Sequence, residues 1–245
     1  MITTANGYIR FAIEEDMKKI HQWLEIQNRT DVHGTFLCNW NLTKEVYDEG
    51  NIIVYIDNES NEPIAYMWSD FGIIEVRENK RGKGIGRSLV DFAIKHAIEL
   101  GEVVIKIECA PLSSIPFWKR MGFNFYTHEY AYMLLNKEYH LPNMGSPVVV
   151  DIRFYPECKK WKPETEPLER FSPIAVKTPE GHIYFKNRVS IFTESHNWNY
   201  DPVVEINIDG KRLYMDKAKY LEAYNLGVIR SSYAFSIERL VMCFN

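Results

Sequence analysis

Hydrophobic positions along the chain change period several times, and each change predicts an element. Tyr8-Ile9-Arg10-Phe11-Ala12-Ile13 alternates with the two-residue period of a short strand. Glu14, Glu15 and Asp16 then open a helix whose apolar face is Met17, Ile20, Trp23 and Leu24. From Arg29 to Leu42 the chain is polar with embedded aromatics (His33, Phe36, Trp40), which predicts a loop holding a short helix. Residues 52–56 and 63–68 read as strands joined by a hairpin turn over 57–62, and 73–76 as a third strand. Ile85, Leu89, Phe92, Ala93, Ala97 and Leu100 line one side of a second long helix, which Gly101 stops. Residues 103–107 form a mostly apolar strand, suited to burial. A short helix with Ile115, Phe117, Trp118 and Met121 ends at Gly122, and strands are predicted around 123–126 and 130–135.

Residues 136–147, with Pro142, Asn143 and Gly145, read as a boundary that divides the chain into 1–138 and 139–245. Residues 148–154 are strand-like, and 156–173, with four prolines and many charges, read as a long exposed connection. Pro179-Glu180-Gly181 and Asp209-Gly210 each sit between apolar runs and predict hairpins. A helix is expected from about Asp216 to Asn225, stopped by Gly227, and the last apolar run, 235–243, fits strand or helix. This second region reads as a small, mainly antiparallel α+β module.

Charge and cysteine content exclude several classes. A net charge of −4 over 245 residues argues against nucleic-acid binding by the whole chain. Residues 1–138 are the acidic part, with 15 Lys and Arg against 20 Asp and Glu. No leading signal segment and no apolar run of membrane-spanning length is present. Cys38, Cys109, Cys158 and Cys243 are scattered without a Cys-x-x-Cys pair, and His182 and His196 lack metal-ligand spacing, so neither a disulfide framework nor a metal is expected. The reading is a reduced, cytoplasmic protein.

The candidate chemistry lies in Arg81-Gly82-Lys83-Gly84-Ile85-Gly86-Arg87. Three alternate glycines among three cations sit between a strand and a helix. Glycine lets backbone approach a ligand closely, and a helix opening there aims unpaired N–H groups at one point. That arrangement holds a phosphate or pyrophosphate. The P-loop needs Gly-x-x-x-x-Gly-Lys-Ser/Thr, which is absent, and the dinucleotide fingerprint fails because Arg87 holds the place of its third glycine.

Arg81, Gly84 and Gly86 do satisfy Arg-x-x-Gly-x-Gly. With Ile9-Arg10-Phe11-Ala12, the following Glu15-Asp16-Met17, and Phe117-Trp118-Lys119-Arg120-Met121-Gly122-Phe123, this region resembles the GNAT superfamily of N-acetyltransferases over roughly residues 1–138. The resemblance implies an α/β (α+β) GNAT-type fold, a central mixed and mostly antiparallel sheet flanked by helices, with the small α+β module appended. It implies acetyl-coenzyme A (acetyl-CoA) as co-substrate, held by Val76, Arg81, Gly82, Lys83, Gly84, Ile85, Gly86 and Arg87. It also implies direct attack by a primary amine in a ternary complex.

Such a transfer needs an unprotonated amine, a polarised thioester carbonyl and an acid for the leaving thiolate. The resemblance puts the carbonyl on the backbone N–H of Val76 or a neighbour and makes Glu75 the first candidate base, with Glu108 second. The family tyrosine falls at Trp118, whose indole cannot release a proton to a thiolate, so packing is its expected role. Ser113, Ser114, Cys109 and Tyr126 remain as substitutes for the acid. Pro111 replaces an asparagine that many members use near the coenzyme; Ser113 or Ser114 would take over that contact. His33, Phe36 and Trp40 fall where the fold often roofs the acceptor site. In the second region His196, Trp198 and Tyr200 form a polar, aromatic loop. Three roles stay open for that region: completing the acceptor site, forming a homodimer, or binding a separate target. The alternative to an enzyme is a coenzyme A-binding regulatory protein that has lost turnover.

Overall fold

A run of antiparallel strands from the first eighty residues builds the sheet that positions everything else. The computed structural model describes residues 2–29, 35–160, 162–193 and 201–242. His33, His196, Trp198, Tyr200 and Cys243 lie outside the described residues. The chain falls into two compact units, Met1–Met133 and Leu134–Asn245.

In the first unit β1 (Ile2–Thr3), β2 (Gly7–Phe11), β3 (Ile52–Asp57), β4 (Pro63–Trp68) and β5 (Ile74–Val76) form a sheet in that order, each pair antiparallel. The two-residue β1 is an addition to the predicted set. Every residue of β3 is buried, which requires cover on both faces. The helix α1 (Glu14–Asn28) supplies one cover: Met17, Ile20, Trp23 and Leu24 pack on Ile52, Val54, Ile56 and Tyr66. Burying a side chain such as Leu24 in that layer contributes about 1.5–3 kcal/mol. The helix α3 (Ile85–Glu99) contacts β3, β4 and β5.

The start of α1 follows from chemistry in the sequence. The Asp16 carboxylate accepts from the backbone N–H of Ile13 at 2.8 Å and from Arg10 Nη2 at 3.0 Å. A side chain three residues into the helix thus satisfies an N–H that the first turn leaves orphaned. The polar segment after α1 contains a 3-10 turn, Phe36–Asn39, that runs straight into α2 (Trp40–Asp48). The predicted loop with a short helix is therefore more helical than its composition suggested.

A second sheet holds β6 (Val104–Glu108), β8 (Tyr130–Leu134) and β7 (Asn124–Phe125), with β8 in the middle. The short helix α4 (Ile115–Arg120) lies between β6 and β7 in the chain. The strands of this unit group as β1–β5 and β6–β8, with the division between β5 and β6.

The second unit packs two antiparallel sheets on one core. Strands β10 (Val150–Tyr155), β11 (Glu169–Phe171), β14 (Val203–Ile208) and β15 (Lys211–Lys217) form one sheet, ordered β11-β10-β14-β15. The other is ordered β16-β17-β13-β12-β9, from β9 (Ser146–Val148), β12 (Ala175–Lys177), β13 (Ile183–Phe192), β16 (Val228–Arg230) and β17 (Ala234–Leu240). Ile152, Phe154, Val204 and Ile206 from the first meet Ile183, Phe185, Ile191 and Ile237 from the second. Both predicted hairpins form; in the second, Asp209 (φ 48°) and Gly210 (φ 76°) supply the left-handed pair of a type I′ turn. Just ahead of β9, residues 137–139 join β13: Arg188 N–H donates to Lys137 O, and Tyr139 N–H to Lys186 O.

Three expectations for this unit change. The helix placed from Asp216 begins only at α5 (Leu221–Asn225), because Asp216 and Lys217 pair with Val204 and Val203 in the β14–β15 ladder. The segment predicted as a plain connection over 156–173 carries a 3-10 turn, Glu157–Lys160, and the edge strand β11. The last apolar run is a strand, β17.

Candidate functional site

Ladder register decides which backbone groups of β5 are spent. Trp68 N–H donates to Ile73 O and Arg77 N–H to Ile64 O, so Tyr66 and Glu75 exchange the ladder bonds between them. Ile74 and Val76 consequently aim their N–H and C=O groups away from β4. β5 is the last strand of its sheet and β6 belongs to another, so these groups face an open edge. The Val76 carbonyl there accepts from Arg81 Nε at 2.9 Å. The amide predicted to matter therefore points where an added, strand-like ligand could reach it.

Arg81 folds back toward the strand rather than out into the loop, with Nη2 3.9 Å from Glu75 Oε1. Gly82 and Gly84 take left-handed φ values of 76° and 80°, and Gly84 caps α3. A Cβ added at either would meet nothing within 4 Å, so the space around both is open. Ile85, Gly86 and Arg87 form the first turn of α3, whose N–H groups have no carbonyl one turn back. Gly86 is different: its φ is ordinary, and a Cβ there would lie 3.6 Å from Phe117 and 3.7 Å from Ile74 Cδ1. Lys83 and Arg87 are exposed, and Arg87 reaches Asp91 at 3.8 Å.

Glu75 is only 5% exposed, although its strand is at a sheet edge. Oε1 accepts from Gln27 Nε2 at 3.3 Å and Oε2 from the Phe36 N–H at 3.0 Å. Across the ladder stands Tyr66, fully buried, whose hydroxyl has no hydrogen-bond partner among the described residues. Burial, and then the charge of Glu75, pushes that phenol well above its ordinary pKa. Phe36 and Trp40 are half-buried and pack against the α1 side of the sheet, a core role beside any ligand role.

The other candidates lie on the second sheet or in the segments that connect its strands. Glu108 ends β6 with its side chain exposed, and its charge raises the pKa of Tyr130. Ser114 lies just before α4, its hydroxyl buried beside Cys109. Burial pushes the Cys109 thiol up, and the nearby Ser114 hydroxyl, which makes no hydrogen bond of normal geometry among the described residues, offsets part of that rise. Trp118 is 4% exposed and packs edge-on against Phe117 at 5.0 Å and Phe123 at 5.1 Å. Tyr126 stacks on Tyr130 with centroids 6.2 Å apart. Among the described residues no group of three or more His, Cys, Asp or Glu side chains could hold a metal ion. Among them, too, no helix is long and apolar enough to cross a membrane.

Sequence reasoning missed Gln27 and Tyr66. The signal for Gln27 was available: it continues the buried row Ile20–Leu24 at helical spacing, and an amide in an apolar stripe needs partners.

Residues 11–123 match the model of the Acetyltransferase (GNAT) family, from the end of β2 to the residue before β7. By that model this segment, slightly under half of the chain, is a GNAT acetyltransferase domain. No curated protein matches the chain. Solved structures with a similar arrangement include the GNAT family N-acetyltransferase YhbS from Escherichia coli in complex with CoA, 18% identical over 55% of this chain and 84% of that one, with a TM-score of 0.41. The phosphinothricin acetyltransferase (Pat) from Sinorhizobium meliloti in complex with AcCoA is also 18% identical, over 53% and 89%, with a TM-score of 0.41. A mosquito arylalkylamine N-acetyltransferase like 5b is 14% identical over 53% and 100%, with a TM-score of 0.42.

Proposed function

We propose that the first unit is an acyl-coenzyme A-dependent N-acyltransferase, using acetyl-coenzyme A and a primary amine that attacks directly in a ternary complex. The observation that carries the reading is the open edge of β5 beside the Gly82–Gly84 turn. Val76 N–H faces that edge, and open space surrounds two left-handed glycines at the start of α3. The fit to coenzyme A is chemical: first-turn amides and the cations Lys83 and Arg87 suit a pyrophosphate, and an unpaired strand edge suits a pantetheine arm.

Bound there, the coenzyme would supply an acyl thioester. The chain's own residues have these roles. Val76 N–H donates to the developing oxyanion at the edge of β5. Arg81 keeps the Val76 carbonyl occupied, which holds the Val76–Arg77 peptide plane where the strand ends. Glu75 takes the proton released by the attacking amine. Cys109 or Ser114 returns a proton to the departing sulfur. The scattered cysteines, without a Cys-x-x-Cys pair, fit a reducing, cytoplasmic location.

The burial of Trp118 favours a second reading, a coenzyme A-binding regulatory protein without turnover. One pair of measurements separates the two. Coenzyme A at millimolar concentration raises the melting temperature under either reading, and free thiol released from acetyl-coenzyme A with a panel of primary amines marks the enzyme. No stabilisation by coenzyme A would remove both.

A further inference from the structure

We infer that Gln27 is a positioning residue that couples the glycine loop to the turn at Phe36 through the Glu75 carboxylate. Gln27 is buried, 6% exposed, one residue from the end of α1. Its amide is used at both ends: Nε2 donates to Glu75 Oε1, and Oε1 accepts from the Glu78 N–H at 3.0 Å. The orientation of the amide is settled by its partners, since a carboxylate only accepts and a backbone N–H only donates.

Each end of this bridge belongs to a different part of the site. Glu78 opens the 3-10 turn, Glu78–Lys80, that leads directly into Arg81–Arg87, and the last ladder bond of β5 is spent one residue earlier, at Arg77. The Gln27 carbonyl thus holds the first amide beyond the ladder bonds. Glu75 divides its two oxygens: Oε1 takes Gln27 and lies 3.9 Å from Arg81, while Oε2 takes the first amide of the Phe36–Asn39 turn. A shift of the glycine loop is therefore passed to Gln27, from Gln27 to the carboxylate, and from the carboxylate to Phe36. Ligand-dependent ordering at one end biases the other, which is the physical content of coupling between two sites.

This inference rests on the coenzyme reading of the glycine loop. Its test is backbone amide exchange of the full chain with and without coenzyme A. In the wild type, coenzyme A slows exchange at residues 82–87 and, through the bridge, at Phe36 and Glu78 by about fivefold, the usual net effect of one hydrogen bond. In Gln27→Met, which keeps the length and loses both polar contacts, residues 82–87 still respond and Phe36 does not. In Gln27→Glu the response at Phe36 is absent at pH 8, where two carboxylates face each other. It returns near pH 5, where a protonated carboxyl can donate to Glu75 and accept from Glu78 as the amide does. The Gln27→Glu series carries the test if Gln27→Met does not fold. An equal response at Phe36 in wild type and Gln27→Met, or in Gln27→Glu at both pH values, overturns the inference. If residues 82–87 of the wild type show no response, the coenzyme reading itself falls and takes this one with it.

Discussion

Tyr66 and Glu75 stand directly opposite each other on β4 and β5, a phenol against a carboxylate, and both are buried. Glu75 is held by the donors Gln27 and Phe36, whereas the hydroxyl of Tyr66 is unpartnered among the described residues. The asymmetry makes the two residues separable by mutation.

Tyr66→Phe removes a buried hydroxyl that has the Thr43 side chain nearby but no hydrogen bond of normal geometry among the described residues. An unpaired buried hydroxyl opposes folding, so its loss leaves stability unchanged or raises it by about 1 kcal/mol. Urea unfolding of the two proteins checks this; a loss of about 2 kcal/mol would mean the hydroxyl is bonded in solution.

Glu75→Gln keeps the shape of the side chain and removes its capacity to take a proton. Thiol release in the presence of an accepted amine should fall by about 10²-fold or more, as for the loss of a general base. The rise in melting temperature on adding coenzyme A should persist. Turnover at the wild-type level would take Glu75 out of the chemistry.

The glycines of the loop should behave in opposite ways. Gly84 has a left-handed φ, so Gly84→Glu strains the backbone and fills the space in front of α3. It should abolish stabilisation by coenzyme A. Gly86 is helical, with room for a methyl group in ordinary contact with Phe117. Gly86→Ala should stabilise the ligand-free protein by roughly 0.5–1 kcal/mol and leave coenzyme A binding in place. Calorimetric melting with and without coenzyme A reads both effects.

Trp118 is tested by size and by chemistry. Trp118→Ala opens a cavity among Phe117 and Phe123 and should cost about 3–5 kcal/mol of unfolding free energy. Trp118→Phe keeps an aromatic ring and should retain turnover within about twofold, because the indole N–H transfers no proton.

In the second unit Glu205 predicts an acid limb. Burial raises its carboxyl pKa, but the hydrogen bond from Tyr155 and the charges of Arg212 and Arg153 outweigh that and leave it below the ordinary value. A carboxylate whose pKa is lowered on folding stabilises above its unfolded pKa, and that contribution is lost as pH falls through the folded one. Stability should therefore decline below about pH 4.5. Glu205→Gln should flatten that limb in a pH series of urea melts.

Local pattern made much of the first unit legible. The strands at 52–56 and 63–68, the apolar faces of α1 and α3, and the stops at Gly101 and Gly122 are each written in a few neighbouring residues. The turns at Gly82 and Gly84 are legible because their left-handed φ values demand glycine. What escaped was set by distant partners. The place of Gln27 in an apolar row marks it as needing partners, but which partners, Glu75 and Glu78 about fifty positions away, is set only by folding. The division between β5 and β6 has no local signature either, since an apolar strand looks the same on either side of it. The helix expected from about Asp216 starts later because Asp216 pairs with Val204 across the β14–β15 ladder, a partner no neighbouring residue announces.

The strand β8 carries a practical consequence for anyone dissecting the chain. It is the middle strand of its sheet and runs through Leu134, while the residues from Lys137 onward already pair with β13. Expression of either unit by itself thus leaves only Leu135 and Asn136 as a place to divide the gene. A boundary drawn a few codons earlier removes residues from a central strand, and one drawn a few codons later removes the two backbone bonds that Lys137 and Tyr139 make to β13.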